Sequence, residues 1–128
     1  CKLIMENKDT YQVIFYKNAN GHCPVEEFFD SIPVKVRAKV AKWIIRLEEC
    51  GPDLPRPFAD VVRGKIKELR LVFASHQYRF MYYFNHKYII ITHGFIKKTE
   101  MVPENEIQRA NNAMLDFEDR IRKGEIVS

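Results

Sequence analysis

Residues 77–84 read Gln-Tyr-Arg-Phe-Met-Tyr-Tyr-Phe, and the spacing of their aromatic side chains organises the reading of everything around them. Successive residues of a strand point to opposite faces. Tyr78, Phe80, Tyr82 and Phe84 therefore share one face, which must meet helices, and Gln77, Arg79, Met81 and Tyr83 share the other. Two more strand-like segments flank this one, residues 65–73 and 88–95, separated from it by Ala74-Ser75-His76 and Asn85-His86-Lys87. Connections this short join antiparallel neighbours, so the middle of the chain is a meander of two hairpins.

Further out, residues 11–16 form an aromatic and β-branched run closed by the turn residues Lys17, Asn18, Ala19, Asn20 and Gly21, the pattern of another strand. Pro24 opens a short helix with Glu26 and Glu27 in its first turn, where the helix dipole favours acid, and Ser31-Ile32-Pro33 ends it. A second helix runs from about Pro33 to Cys50. Its buried stripe is Val36, Val40, Trp43, Ile44 and Leu47, with Lys35, Arg37, Lys39, Lys42 and Arg46 largely off it. Gly51-Pro52 stops that helix, and residues 51–58 read as an extended, proline-rich connector. The last helix begins near Pro103. Its Ile107, Ala110, Met114, Phe117 and Ile121 recur at three- and four-residue steps, for packing on the sheet or on a partner. The order β-α-α-β-β-β-α describes an α+β domain over residues 1–128. Its antiparallel sheet, the N-terminal strand plus the three-strand meander, packs helices against one face.

With 128 residues, 46% of them hydrophobic and 30% charged, the chain can bury one core without help from a metal or disulfide. No apolar run approaches the ~20 residues of a membrane helix, and no secretory signal pattern opens the sequence. Cys1, Cys23 and Cys50 are odd in number and far apart, which argues against a disulfide framework and a zinc site and fits a reducing, cytoplasmic setting.

The formal net charge of +4 is unevenly placed. Residues 1–60 are balanced and residues 101–128 carry net −2, while residues 61–100 carry eight basic side chains against Glu68 and Glu100, net +6. An excess confined to the middle third points to an anionic partner, nucleic acid first; a solvated strand surface rich in Lys and Arg is the equal alternative from charge alone. Strand alternation adds detail. Lys67, Leu69, Leu71 and Phe73 share the helix-facing side, leaving Ile66, Glu68, Arg70 and Val72 opposite. Matching core face to core face then puts Glu68, Arg70 and Arg79 together on an open face, with Lys97 and Lys98 within reach of its rim.

A carboxylate beside two guanidiniums, with ammoniums nearby, suits metal-free RNA cleavage, which needs a base for the 2′-hydroxyl, cations for the phosphorane and an acid for the leaving oxygen. Arg63, Lys65 and Lys67 would add backbone contacts and Tyr83 would stack a base. A cross-strand Glu–Arg pair on a solvated sheet is the plain alternative. His22, His76, His86 and His93 show no metal-ligand spacing; His76 and His86 read as ordinary turn residues. His93 falls on the Ile89 and Ile91 side of its strand, as a hydrogen-bonded core histidine.

At these residues the sequence resembles the RelE/ParE superfamily of toxins from type II toxin–antitoxin pairs, and within it the phage-related, HigB-like branch. The matching features are Phe15-Tyr16 with Gly21, Pro24 to Phe28, Glu68-Leu69-Arg70, Tyr78-Arg79-Phe80 with Tyr82-Tyr83-Phe84, His93 to Lys98, and Pro103 with Glu106-Ile107. The resemblance implies a RelE-like α+β fold and an mRNA endoribonuclease acting on ribosome-bound message without cofactor or metal. It also implies a partner antitoxin, in this branch a helix-turn-helix protein, through which the pair would contact operator DNA. By position, Glu68 would assist proton removal, Arg70 and Arg79 would stabilise the transition state, and Lys97 or Lys98 would bind phosphate or protonate the leaving oxygen. Two rivals stand beside this: a ParE-type binding toxin that poisons DNA gyrase, and a decayed relative that only binds antitoxin.

Overall fold

The computed structural model describes residues 11–124. The elements in chain order are β1 (Gln12–Phe15), α1 (Pro24–Ser31), α2 (Val34–Cys50), a 3-10 turn at Gly51–Asp53, β2 (Ala59–Arg63), β3 (Ile66–Phe73), β4 (His76–Asn85), β5 (Tyr88–Lys97) and α3 (Glu104–Arg122). The α+β class and all seven elements read from the sequence are present. Three details differ. The sheet has five strands in the order β1-β5-β4-β3-β2, and it is mixed, because β1 runs parallel to β5 while the other pairs are antiparallel. Short connections settle strand direction only within the meander; β1 reaches its neighbour through most of the chain, so nothing local sets its sense. The edge strand β2 lies where the connector was expected to end. Its Ala-Asp-Val-Val-Arg is short and irregular, with a register shift between Val61 and Arg63, and no turn residue announces it.

Helices cover both faces of the sheet, not one. On the first face Val25 of α1 and Val36, Val40 and Leu47 of α2 pack on Leu69, Leu71, Tyr78, Phe80 and Tyr82. On the second, Ala110, Ala113 and Phe117 of α3 pack on Ile66, Met81, Tyr83 and Ile90. The aromatic face of β4 meets helices as its spacing demands, but Met81 and Tyr83 on the reverse are also apolar and draw α3 onto them. Each large side chain buried completely in this way contributes about 1.5–3 kcal/mol. Gly94 of β5 lets α1 come close: a Cβ there would stand 2.7 Å from both the Phe28 and Phe80 rings.

A bulge in β5 changes what its side chains face. Met81 pairs with His93 but Tyr82 pairs with Ile91, so Thr92 is an extra residue. Ile89 and Ile91 lie in the first core, whereas Phe95 lies in the second, beneath α3. His93 goes with Phe95, which corrects the alternation that placed it beside Ile89 and Ile91; it is nonetheless a buried, hydrogen-bonded histidine. Of the cysteines, Cys23 is buried and free, Cys50 is buried and not free, and Cys1 lies outside the described residues. The reading of unpaired cysteines is thereby corrected at Cys50.

Candidate functional site

The β3–β4 register sets Arg70 opposite Arg79 and Glu68 opposite Met81, so Glu68, Arg70 and Arg79 do share one face. That face is the one α3 covers, and it is not open: Glu68 is 3% exposed and Arg79 is 5% exposed. Arg70 Nε donates to Glu68 Oε2 at 2.9 Å, with Arg70 Nη2 at the same distance from that oxygen. Arg79 Nε stands 3.2 Å from Glu68 Oε1 as an ion pair without hydrogen-bond geometry, which leaves both of those atoms buried and without a hydrogen-bond partner. Arg70 Nη2 also reaches Asp60 Oδ2 of β2 at 3.3 Å, and Asp60 in turn pairs with Arg56 at 3.3 Å. The charges thus alternate from Arg56 to Arg79.

Removal of the Arg79 guanidinium from water lowers its pKa, against the opposing pull of Glu68, with the nearby Arg70 charge adding to the lowering. Arginine keeps its proton regardless. Its Nη1 donates to the Tyr78 carbonyl at 3.3 Å and its Nη2 to Gln77 Oε1 at 2.9 Å. Glu68 faces guanidiniums with both oxygens, so a 2′-hydroxyl has no path to it in this conformation.

Lys97, the last residue of β5, pairs in register with Gln77, and the exposed Lys98 follows it. Together with Ser75, His76, Ile96, Thr99 and Glu100 they line an open depression of about 660 Å³ at this end of the sheet. Neither lysine has an ion-pair or hydrogen-bond partner among the described residues. Here, then, are unneutralised ammoniums beside a concave polar surface, one residue removed from the buried Arg79.

The other residues expected to touch nucleic acid are dispersed. Arg63 makes two hydrogen bonds to Glu104 at the start of α3, at 2.6 and 2.8 Å. Lys65 is exposed in the β2–β3 turn. Lys67 lies on the opposite face, its Nζ 5.2 Å from the centre of the Phe84 ring. Tyr83 is corrected as a stacking residue: it is 1% exposed under α3, and its hydroxyl donates to Glu118 Oε2 at 2.7 Å, so no base can lie on its ring.

The bulge also makes a contact that no sequence spacing indicated. His93 Nε2 lies 2.8 Å from Glu106 Oε1 of α3, and its Nδ1 lies 3.1 Å from Thr92 Oγ1. Burial, with the Arg109 charge acting in the same direction, pushes the His93 pKa down to about 3. The neutral ring donates from Nε2 to the carboxylate and ties the first turn of α3 to the sheet. Among the described residues no three His, Cys, Asp or Glu side chains are grouped to hold a metal ion.

Five mixed strands with two helices on one face and one on the other, and an arginine-bearing middle strand, are consistent with a RelE-like fold. A family model described as "Phage derived protein Gp49-like (DUF891)" matches residues 27–115, which takes in Glu68, Arg70, Arg79, Lys97 and Lys98. The chain belongs to this phage-derived Gp49-like family, a toxin-like family related to the RelE-like toxins of toxin–antitoxin systems. That relation implies an antitoxin as partner. No curated protein matches the chain. No described helix is long and apolar enough to cross a membrane.

Proposed function

We propose that the protein is the toxin of a type II pair of the HigB-like branch, one domain over residues 1–128, which cleaves ribosome-bound message in the cytoplasm. The observation that carries this reading is Lys97 and Lys98, without a partner among the described residues, beside the open depression and joined through Gln77 to the buried Arg79. A phosphodiester carries one negative charge in the ground state and gains a second as the 2′-oxygen adds to phosphorus. Fixed cations at that place lower the barrier because they are present before the charge develops. Lys97 and Lys98 hold the phosphate oxygens, an ammonium protonates the leaving 5′-oxygen, and Arg79 adds its field from below. Glu68 and Arg70 keep Arg79 and Gln77 in position and do not touch the substrate. A helix-turn-helix antitoxin would silence the protein by covering this end of the sheet, and would carry it to operator DNA.

The test is a defined message on translating ribosomes, read by primer extension with and without the purified protein. New 5′ ends within the translated region are the expected result. Intact message together with inhibited gyrase supercoiling would transfer the protein to the binding-toxin class, and intact message with unaffected gyrase would leave a decayed relative.

A further inference from the structure

Cleavage needs a group that takes the 2′-hydroxyl proton, and Glu68 is out of reach. We propose that His76 is that group, acting from the rim of the depression through Nε2; the inference rests on the ribonuclease reading above. β3 and β4 are joined by two residues, since Phe73 pairs with His76. Ala74 and Ser75 both lie in the left-handed region, at φ 52° and 70°. That is the backbone of a two-residue primed turn, which glycine or asparagine usually occupies. Strained turns of this kind persist where the surroundings demand a particular placement.

The placement here concerns His76. The Ala74 carbonyl, turned by that backbone, lies 3.0 Å from His76 Nδ1. A carbonyl can only accept, so Nδ1 carries a proton, and in the neutral ring the lone pair is then on Nε2. The turn therefore selects the tautomer that accepts a proton at the outer nitrogen. His76 is exposed and lines the depression with Gln77, Lys97 and Lys98, its ring tilted toward that of Tyr78 at 6.3 Å between centroids, on the face opposite Gln77. The remaining charged groups nearby are Glu100 in the depression and Arg79 beneath Gln77. From α2 comes Lys39, 5.8 Å from the centre of the Phe73 ring, the residue that pairs with His76. Imidazole is the side chain suited to accept and release a proton near neutral pH.

The step balances as follows. The 2′-oxygen bonds to phosphorus as its proton passes to His76 Nε2. The bond from phosphorus to the 5′-oxygen breaks, and that oxygen takes a proton from the Lys97 or Lys98 ammonium. The products are a 2′,3′-cyclic phosphate and a 5′-hydroxyl end. The imidazolium then loses its proton to water and the amine regains one.

His76→Gln keeps a polar side chain at the exposed start of β4 and removes the proton acceptor. Single-turnover cleavage should fall on the order of 10²- to 10⁴-fold. Binding of a 2′-O-methyl RNA, which cannot be cut, should stay within about twofold of the parent's. The limb of the parent's pH–rate profile on which rate rises with pH should also disappear. Melting as the parent does would show that the variant is folded. Cleavage at the parent's rate by His76→Gln, or a loss of rate matched by a loss of binding, overturns the role of His76 and leaves the ribonuclease reading standing. Failure of the parent itself to cut message overturns both.

Discussion

On the β3–β4 ladder the guanidiniums of Arg70 and Arg79 are committed, while at the end of β5 the ammoniums of Lys97 and Lys98 are not. Arg70 lies between Glu68 and Asp60, and Arg79 sits buried on Glu68. A few residues away Lys97 and Lys98 line an open depression with Glu100, and no described carboxylate is in ion-pair contact with either. Both regions belong to the same basic third of the sequence, and charge counting treats them alike. Their environments do not. A buried guanidinium whose carboxylate is already in place contributes to the definition of the fold and little to the capture of a new anion. An exposed ammonium without a partner contributes nothing to the fold and is available to phosphate. The contrast separates residues that hold the site from residues that work in it.

The largest effect that would break this contrast is on stability. Glu68→Ala leaves Arg79 buried and unpaired, and should cost about 3–5 kcal/mol, a fall in melting temperature on the order of 10 °C. Removing both partners in Glu68→Leu/Arg79→Met should cost much less than the single change, because no charge is then stranded. A single-variant loss below about 1 kcal/mol would mean that the pair is not a structural device. The matching change at the open end has the reverse signature. Lys97→Ala/Lys98→Ala should lower message cleavage by roughly 10²-fold or more, with a melting temperature close to the parent's, since side chains outside the core that pair with no described group stabilise little. Loss of stability without loss of cleavage would exchange the roles of the two regions.

Much of this contrast was legible in residue order, and the remainder had a physical reason to be hidden. The period-two aromatic run at Tyr78, Phe80, Tyr82 and Phe84 was enough to orient β4, and with the short turns it placed Glu68, Arg70 and Arg79 on one face. Whether that face was open depended on where α3 docks. That is decided by Met81 and Tyr83, which alternation alone assigns to the less apolar side. The bulge at Thr92 moved His93 to the α3 side, and one inserted residue in a ladder has no local signature here. His76 reads as a turn residue from its neighbours, but it is the first residue of β4, paired with Phe73. Its significance lies in the depression it shares with Lys97 and Lys98 and in the left-handed Ala74 and Ser75, both properties of the paired strands.

A smaller effect follows from His93, the buried group that titrates on the committed side. Its pKa is about 3 in the folded protein, against ~6.5 for a free imidazole. Between those values the unfolded chain binds more protons than the folded one. Stability is therefore complete above about pH 6.5 and falls as the pH is lowered toward 3, by up to about 1.4 kcal/mol per unit from this group. Denaturant melts at pH 7, 6 and 5 should show the decline in the parent and a shallower one in His93→Gln. His76→Gln, at the open end, should keep the parent's slope. An equal slope in His93→Gln would mean that other groups carry the acid sensitivity and that the tie to Glu106 is dispensable.

The smallest effect sharpens where the available region ends. Arg63 is exposed, yet both of its terminal nitrogens donate to Glu104, and this pairing pulls the Glu104 pKa down to about 2. Glu104→Gln should not change the melting temperature resolvably, because an ion pair in water stabilises little. What it does change is the state of Arg63, which becomes an unpaired cation like Lys97. If RNA leaving the depression passes Arg63, the variant should bind a 2′-O-methyl RNA more tightly at low salt. The plot of log affinity against log salt should then steepen by roughly 0.7, the increment for one added phosphate contact on a single strand. An unchanged slope would confine the RNA path to the His76–Lys98 end and make Arg63 a clasp for the start of α3. Because the two outcomes differ by a single counterion, titrations at four or five salt concentrations suffice to choose between them.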